Sequence, residues 1–219
     1  MDIAVTREGS VAVIRWDDAE NRINVDSLAR LNEVLDELES IDGPLALVLT
    51  GTGKFFSNGL DLDRFANFDE LAATVATLCR LIGRLLVFPA YTVAAINGHA
   101  FAAGALLTCA FDHRIMREDR GYWCMNEAEI GLELSAELWS ILEHRLPRAT
   151  AVTAITTARR FAGPDALRFG IVEEVASAVE VLERAVAHAE SLASLDRSTL
   201  AHHKRLAHGG EATALGFTI

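Results

Sequence analysis

Residues 91–117 read YTVAAINGHAFAAGALLTCAFDHRIMR, and this stretch indicates the fold more directly than any other part of the chain. The run YTVAAING, 91–98, is short, continuous and apolar, as expected for a strand buried on both faces. A helix of small residues is predicted at about 103–110, and FDHRIMR, 111–117, is predicted to be a further strand. A strand, a helix and a second strand in succession favour parallel pairing through a crossover.

The same alternation extends towards the N-terminus. VAVIRW, 11–16, is rich in β-branched and apolar residues, and LALVLTG, 45–51, is a second run typical of a buried strand. Between them, SLARLNEVLDELES, 27–40, places its leucines at helical spacing. A second long helix is predicted from about Asp69 to just before Pro89. The first 120 residues therefore predict repeated β-α units.

The chain becomes mostly helical from about residue 136. We predict one α/β domain over 1–219, with an α/β core at about 1–135 and a helical tail at about 136–219. The predicted helices of the tail include PDALRFG (164–170), VEVLERAVAHAESLAS (179–194) and TLAHHKRLAHGG (199–210).

Composition excludes several classes of function. The net charge of −11 argues against binding to nucleic acid or to an anionic membrane surface. The three cysteines have no C-x-x-C spacing, which favours reduced, buried thiols inside a cell. No segment has the pattern of a signal peptide or a membrane span. The end of the chain, Phe217-Thr218-Ile219, is not a peroxisomal tripeptide, so we expect a cytoplasmic protein.

The stretch KFFSNGLDLDRF, 54–65, follows a predicted strand and contains Asn58-Gly59. Glycine permits a backbone conformation that other residues avoid, and this could turn the N–H of Leu60 into a cleft. The alternative from spacing alone is an ordinary polar turn closed by Asp61.

The run of Ala and Gly in AFAAGAL, 100–106, opens the predicted helix. Small residues let a ligand approach the free N–H groups at a helix start, where developing negative charge is stabilised. The alternative is a tightly packed buried helix with no ligand. His99, just before it, is interpreted as a structural residue.

The stretch GYWCMNEAEI, 121–130, carries two carboxylates, Glu127 and Glu129. A carboxylate near apolar walls has a raised proton affinity and can act as a base near neutral pH. If the segment is extended, the two side chains point in opposite directions. Spacing alone leaves them equivalent. The scattered histidines favour no metal site, and no serine elbow or phosphate-binding glycine motif is present.

Taken in this order, the stretches resemble the crotonase superfamily, which is the enoyl-CoA hydratase/isomerase fold. The resemblance implies a spiral of β-β-α units with a C-terminal helical region. Its carriers are DDAENRINVDSLARL (17–31), LVLTGTGKFFSNGLDL (47–62), VAAINGHAFAAGALLTCAFDHRIM (93–116), MNEAEIGLEL (125–134) and ARRFAGPDALRFGIVEEV (158–175).

The resemblance implies an acyl-CoA substrate and an oxyanion hole made of two backbone N–H groups. By position, these donors are Leu60 and Ala103, and the family usually has glycine where this chain has Ala103. The remaining residues implied to form the thioester loop are Ser57, Gly59, Asp61 and Gly104. Arg22 and Asn24 are weaker candidates for the CoA side.

The resemblance also separates the two carboxylates, because Glu127 falls at the family's acid/base position. Hydratases of this family have a second glutamate in the oxyanion helix, and that position here is Leu106. One base is enough to move a proton from C2 to C4, so a lone Glu127 resembles the site of Δ3,Δ2-enoyl-CoA isomerases. Glu129, Glu133 and Glu137 are minor alternatives for a second acid.

Two other readings stay open: a hydratase or another crotonase-type reaction, and a non-catalytic acyl-CoA-binding protein. The resemblance implies no cofactor beyond the coenzyme A of the substrate and no metal. It implies a homotrimer or a dimer of trimers.

Overall fold

The computed structural model describes residues 2–219 as alternating strands and helices. The strands are β1 (Asp2–Glu8), β2 (Val11–Asp17), β3 (Ala46–Gly51), β4 (Phe55–Ser57), β5 (Tyr91–Ile96), β6 (His99–Phe101), β7 (His113–Arg117), β8 (Trp123–Cys124) and β9 (Glu174–Ala176). The α-helices are α1 (Val25–Glu39), α2 (Phe68–Leu86), α3 (Ala103–Thr108), α4 (Glu127–Ile130), α5 (Ala136–Arg145), α6 (Arg148–Thr157), α7 (Gly163–Arg168), α8 (Val181–Leu192) and α9 (Arg197–Ala214), and one 3-10 turn covers Leu62–Arg64.

Two sheets organise these elements. The larger has the order β1-β2-β3-β5-β7-β9, with every neighbouring pair parallel except the antiparallel β1-β2 hairpin. The smaller sheet, β4-β6-β8, is entirely parallel. The predicted parallel α/β arrangement is confirmed.

Five strands were not predicted: β1, β9 and the three strands of the small sheet, β4, β6 and β8, each of which is only two or three residues long. β1 is an edge strand with mostly exposed side chains, so its sequence lacks an apolar run. β9 lies in the region predicted to be a helical tail, and it pairs with β7 at the other edge of the large sheet. The sequence analysis predicted a mostly helical tail and no strand there, because three residues give too short a run for a periodicity to be recognised.

Strand alternation distributes the core over both faces of the large sheet. On one face, Val13, Val48 and Val93 pack with the small residues Ala185 and Ala189 of α8. The other face carries the larger apolar cluster, which includes the buried leucines of α1 and α2. Burial of both faces explains why the central strands are continuously apolar.

The small sheet determines where the functional segments lie. β4 ends just before residues 58–61, β6 ends just before α3, and β8 ends just before α4. Because the three strands are parallel and adjacent, their carboxyl ends open at one edge of the sheet. The three stretches singled out from sequence therefore converge there.

Helix α9 braces the two helices α2 and α5 that border this edge. A buried ion pair anchors it, with Lys204 Nζ 2.8 Å from Asp112 Oδ2. His208 of α9 also contacts His144 of α5, with Nδ1 2.8 Å from Nε2, so one ring must accept the proton of the other. Burial, then Arg145 and His144, lowers the pKa of His208 to about 4.

Stability is expected to decrease in acid through His208. Its pKa in the unfolded chain is about 6.5, which lies above its folded value of about 4. The unfolded chain binds the extra proton between these values, so this stabilising contribution is complete above pH 6.5 and is lost as the pH falls towards 4. Between pH 7 and 4.5, the Tm of the wild type should fall by about 5–10 °C more than that of His208→Gln.

Differential scanning calorimetry at several pH values checks this expectation. His202→Gln is the matched control, because it makes the same change on an exposed residue of the same helix. Parallel pH dependence in the wild type and both variants would contradict a role for His208.

Candidate active site

A cavity of about 140 Å³ opens where the carboxyl ends of the small sheet meet α2 and α5. Its walls are mostly aliphatic, and its polar lining residues are Asn58, Asn126, Glu127 and Glu133. The apolar lining comprises Leu60, Leu62, Leu71, Val75, Leu78, Ala102, Ala103, Leu106, Ile130, Leu132, Leu134 and Leu138. The structure thus brings Leu60, Ala103 and Glu127, predicted from three separate stretches, into one cavity.

The backbone conformation at Gly59 turns the N–H of Leu60 away from the neighbouring segment, which contains Ile23. Gly59 has φ of +82°, a conformation that favours glycine. The N–H of Ile23 donates to Gly59 O at 2.7 Å, and the N–H of Asp61 donates to Ile23 O at 2.9 Å. These two hydrogen bonds form a parallel bridge that uses Gly59 O and the N–H of Asp61. The N–H of Leu60, which lies between them, has no hydrogen bond within residues 2–219.

The second free donor is at the start of α3. Ala103 is the first residue of the helix, and its N–H likewise has no hydrogen-bond partner among residues 2–219. A Cβ atom built on Gly59 would lie 3.5 Å from Ala103 N, so the two segments are in direct contact. The two free N–H groups are therefore held side by side by the backbone.

Ala102 holds a strained backbone just before this donor. Its φ of +49° and ψ of −121° lie in a region that residues with a Cβ rarely occupy. The N–H of Ala102 donates to Cys124 O at 2.9 Å, which fixes the turn between β6 and α3. Strain of this kind persists where the surrounding structure imposes it, commonly at functional sites.

Ala102→Gly is expected to raise the free energy of unfolding by about 1 kcal/mol, because glycine adopts this conformation without strain. Chemical denaturation measures the change. Ala72→Gly is the control, at an exposed position inside α2 where the same substitution should destabilise by up to about 1 kcal/mol. Destabilisation by both substitutions to the same extent would show that Ala102 is not strained.

Glu127 is the first residue of the one-turn helix α4 and is partly buried against the aliphatic walls. Burial raises the pKa of its carboxyl, opposed by a hydrogen bond from its own backbone N–H. A carboxylate with a raised proton affinity can accept a proton from carbon and return it. This environment matches the one expected from the apolar residues around it in the sequence.

Glu129 has a different environment. It forms a two-pronged ion pair with Arg160 on the surface, with both N–O distances 2.8 Å, and it does not line the cavity. The hydrogen bond from Arg160 lowers the pKa of Glu129. The segment is helical rather than extended, so the two side chains diverge because of helical rotation and not because of strand alternation.

The position expected for a second glutamate is apolar. Leu106 lines the cavity and is 1% exposed. A second carboxylate does reach the cavity from elsewhere, because Gly131 ends α4 with φ of +71° and the N–H of Leu132 donates back to Glu127 O at 3.0 Å. This tight reversal places Glu133 in the lining of the cavity, whereas Glu137 does not line it; both side chains are exposed.

The remaining predicted residues do not line the cavity. They make contacts in and around the loop that contains Leu60. Ser57 is fully buried, and its Oγ donates to Asn21 O at 2.7 Å and accepts the N–H of Gly59 at 3.3 Å. A Cβ on Gly104 would lie 2.4 Å from Ser57 O, so only glycine permits this contact between α3 and β4. Asp61 Oδ1 is 3.5 Å from Arg22 Nη1. We infer that these residues shape the loop that presents Leu60.

The two weaker candidates lie in the loop before α1. Asn24 is buried and caps α1, with its side chain accepting the N–H of Ser27 at 3.0 Å. Arg22 is partly exposed and pairs with Glu20, Asp61 and Asp63. Both side chains are therefore engaged within the protein: Arg22 at the surface with three carboxylates, and Asn24 in the cap of α1.

A larger cavity of about 520 Å³ lies between α1 and α2 on the other side of the loop that contains Arg64. Its only charged lining residues are Asp26, Arg64 and Glu70, and Arg64 pairs with Asp26 at 3.1 Å. In the smaller cavity, by contrast, the unpaired N–H groups of Leu60 and Ala103 lie beside the partly buried Glu127. The smaller cavity is therefore the candidate active site.

The chain matches the family model "Enoyl-CoA hydratase/isomerase" over residues 6–213. The chain belongs to the enoyl-CoA hydratase/isomerase family. Among curated members of this family, it is 32% identical to the peroxisomal enoyl-CoA delta isomerase 1 of Arabidopsis thaliana, over 80% of this chain and 75% of the relative. It is 35% identical to a putative enoyl-CoA hydratase of Thermus thermophilus, over 91% of this chain and 81% of the relative.

Solved structures of the family agree with the fold. An enoyl-CoA isomerase from Mycobacterium tuberculosis superposes with a TM-score of 0.91 at 31% identity, covering 98% of this chain and 94% of that one. The predicted crotonase-like α/β fold is confirmed, and the protein is a crotonase-type enzyme acting on acyl-CoA thioesters. Both isomerases and hydratases occur among the relatives, so sequence similarity identifies the class of enzyme but not the reaction that it catalyses.

Within residues 2–219, no group of three or more His, Cys, Asp or Glu side chains is arranged to hold a metal ion. No helix in that part of the chain combines the length and the apolar character needed to cross a membrane.

Two cavity residues, Asn126 and Glu133, were not singled out as main candidates by sequence. Their place in the cavity wall depends on the one-turn helix α4 and on Gly131, which ends that helix in a left-handed conformation. Gly131 in the sequence is the only local signal of that reversal, since glycine is frequent just after a helix end.

Proposed function

We propose that the protein is a Δ3,Δ2-enoyl-CoA isomerase. The observation that supports this best is one partly buried carboxylate, Glu127, in the same cavity as two free backbone N–H groups, with Leu106 at the other acid/base position. Moving a double bond by one carbon needs one group that removes a proton and returns it.

In this mechanism the thioester oxygen accepts hydrogen bonds from the N–H groups of Leu60 and Ala103. Glu127 removes a proton from C2, and the electron pair of that C–H bond enters a dienolate whose charge lies largely on the thioester oxygen. The Glu127 O–H bond then breaks as a C–H bond forms at C4. The two N–H groups stabilise the charge where it develops, and one such donor typically contributes a factor of about 10²–10³ in rate.

The size of the cavity favours a short acyl group. The cavity volume is only about 140 Å³, which leaves little space for a long acyl chain. The leucine-rich walls favour an unsubstituted hydrocarbon chain. We therefore propose short 3-enoyl-CoA thioesters as substrates, with no cofactor beyond the coenzyme A that they carry.

Incubation with 3-hexenoyl-CoA and, separately, with crotonyl-CoA tests the proposal. The isomerase should form the conjugated 2-enoyl thioester from the first and leave the second unhydrated. Hydration of crotonyl-CoA without isomerisation of 3-hexenoyl-CoA would overturn the assignment. Binding of both thioesters with no turnover would favour a non-catalytic acyl-CoA-binding protein.

A hydratase is the second candidate, because Glu133 supplies a second carboxylate to the cavity. Glu133 forms no ion pair within residues 2–219, so its carboxylate could orient a water molecule. Under this alternative, Glu133→Gln abolishes hydration of crotonyl-CoA. Under the isomerase proposal, the same substitution leaves isomerisation of 3-hexenoyl-CoA within a few-fold of the wild type.

We also propose that the chain assembles as a homotrimer or a dimer of trimers and works in the cytoplasm, both by analogy with the family. Light scattering should then give a mass of three or six times the chain mass of 23.8 kDa. A mass of a single chain would contradict the proposed assembly.

A further inference from the structure

The side chain of Asn126 is an unsatisfied polar group in the candidate active site. Asn126 Oδ1 is buried and has no hydrogen-bond partner among residues 2–219. Leaving a buried amide oxygen unpaired is unfavourable, because the atom gives up its hydrogen bonds to water and gains none in the protein. Exchange of the amide oxygen and nitrogen would not remove the problem, because neither end of this side chain makes a hydrogen bond within residues 2–219.

The local structure does not explain this residue. Asn126 occupies the N-cap position of α4, where asparagine usually accepts a backbone N–H, yet its side chain makes no capping bond. By contrast, Asn24 and Asn67 cap α1 and α2, with their Oδ1 atoms accepting the N–H groups of Ser27 and Glu70, both at 3.0 Å. Asn126 thus forgoes the stabilisation that its position offers.

Within the cavity, Glu127 can donate a hydrogen bond to Asn126 only when the Glu127 carboxyl is protonated. Asn126 and Glu127 are consecutive and both line the cavity. In the structure, the Glu127 carboxylate receives a hydrogen bond from its own backbone N–H and none from Asn126. An ionised carboxylate has no proton to donate, but a protonated one has an O–H group that needs an acceptor. Such a donor arises each time Glu127 takes a proton from the substrate.

We propose that Asn126 is a positioning residue: its Oδ1 accepts a hydrogen bond from the Glu127 carboxyl while that carboxyl holds the proton in transit from C2 to C4. The inference rests on the proposed isomerase function. The bond holds the carboxyl in one orientation and stabilises the protonated intermediate state. The proton returns to C4 when the O–H bond breaks, and Asn126 is again without a partner.

The decisive measurement is the titration of Glu127 in the absence of substrate. Carbon-13 NMR of protein labelled in its glutamate carboxyls follows each group, and Glu127→Gln identifies the signal. In Asn126→Ala the protonated form loses its acceptor, so the proton affinity of Glu127 should fall by roughly fivefold. In Asn126→Asp, a like charge beside Glu127 should raise it. Asn126→Asp keeps the size of the side chain and provides the test if the alanine variant does not fold.

Kinetics with 3-hexenoyl-CoA give the second readout. For Asn126→Ala, kcat should fall by about tenfold with KM within about twofold, and the acid limb of the pH profile of kcat/KM should move to lower pH. Asn67→Ala is the matched control, because it removes a working helix cap at the start of α2. That variant should lose stability while its acid limb stays in place.

Two results would overturn the inference. One is an unchanged titration of Glu127 in both Asn126 variants. The other is a raised KM with unchanged kcat in Asn126→Ala, which would place Asn126 against the substrate instead. The titration needs no turnover, so a shifted titration in a protein that isomerises no enoyl-CoA would overturn only the proposed function.

Discussion

Glu127→Gln is expected to lower kcat for the isomerisation of 3-hexenoyl-CoA by about 10²–10⁴-fold, the usual contribution of a general acid/base. Glutamine keeps the size and shape of the side chain but cannot accept and return a proton. Because Gln retains the contacts that shape the cavity, KM should stay within a few-fold of the wild type. Stopped-flow or steady-state measurement of the conjugated product gives both constants.

The pH profile provides a test within the same experiment. Burial raises the pKa of Glu127, so the carboxylate becomes protonated, and inactive as a base, at a higher pH than an exposed glutamate would. Activity of the wild type should therefore decline as the pH falls through this raised pKa, and the residual activity of Glu127→Gln should lack that limb.

Glu129→Gln is the matched control. It makes the same chemical change two residues away, on a side chain that pairs with Arg160 on the surface and does not line the cavity. Near wild-type turnover is expected for this variant. If Glu129→Gln lost activity and Glu127→Gln retained it, the assignment of the base would be reversed.

The β-α-β unit around residues 91–117 could be read directly from the sequence. Continuous apolar runs are a strong signal for parallel strands buried on both faces, and the helical spacing of leucines in α1 and α2 is equally clear. The three functional stretches meet at the edge of the small sheet, and the sequence analysis predicted none of its short strands. The convergence of Leu60, Ala103 and Glu127 was expected from the family resemblance.

The features that sequence did not reveal depend on backbone conformation over a few residues. The sequence AFAAG does not indicate that Ala102 adopts a positive φ, because this conformation is imposed by the turn between β6 and α3. The position of Glu133 depends likewise on the left-handed Gly131. The orphaned oxygen of Asn126 is visible only once burial and hydrogen bonds are known for each atom.

Gly59→Ala is expected to lower kcat/KM for 3-hexenoyl-CoA by about 10²–10³-fold, the loss typical of one oxyanion-hole donor. The new Cβ would lie 3.0 Å from Phe101 O and 3.2 Å from Ala102 Cβ, and it would lie 3.5 Å from Ala103 N. These contacts force apart the two segments that present the free N–H groups. The φ of +82° at Gly59 adds backbone strain of about 1–3 kcal/mol when a Cβ is present.

Gly43→Ala separates these two effects. Gly43 has a similar φ of +87°, but a Cβ there meets nothing within 4 Å, and the residue lies in the exposed turn before β3. It should lose a comparable part of its stability from strain alone, measured by chemical denaturation, and keep wild-type kinetics. If both variants lost stability and both kept full activity, the N–H of Leu60 would not be a donor to the thioester oxygen, since a displacement at Gly59 must move that group relative to Ala103.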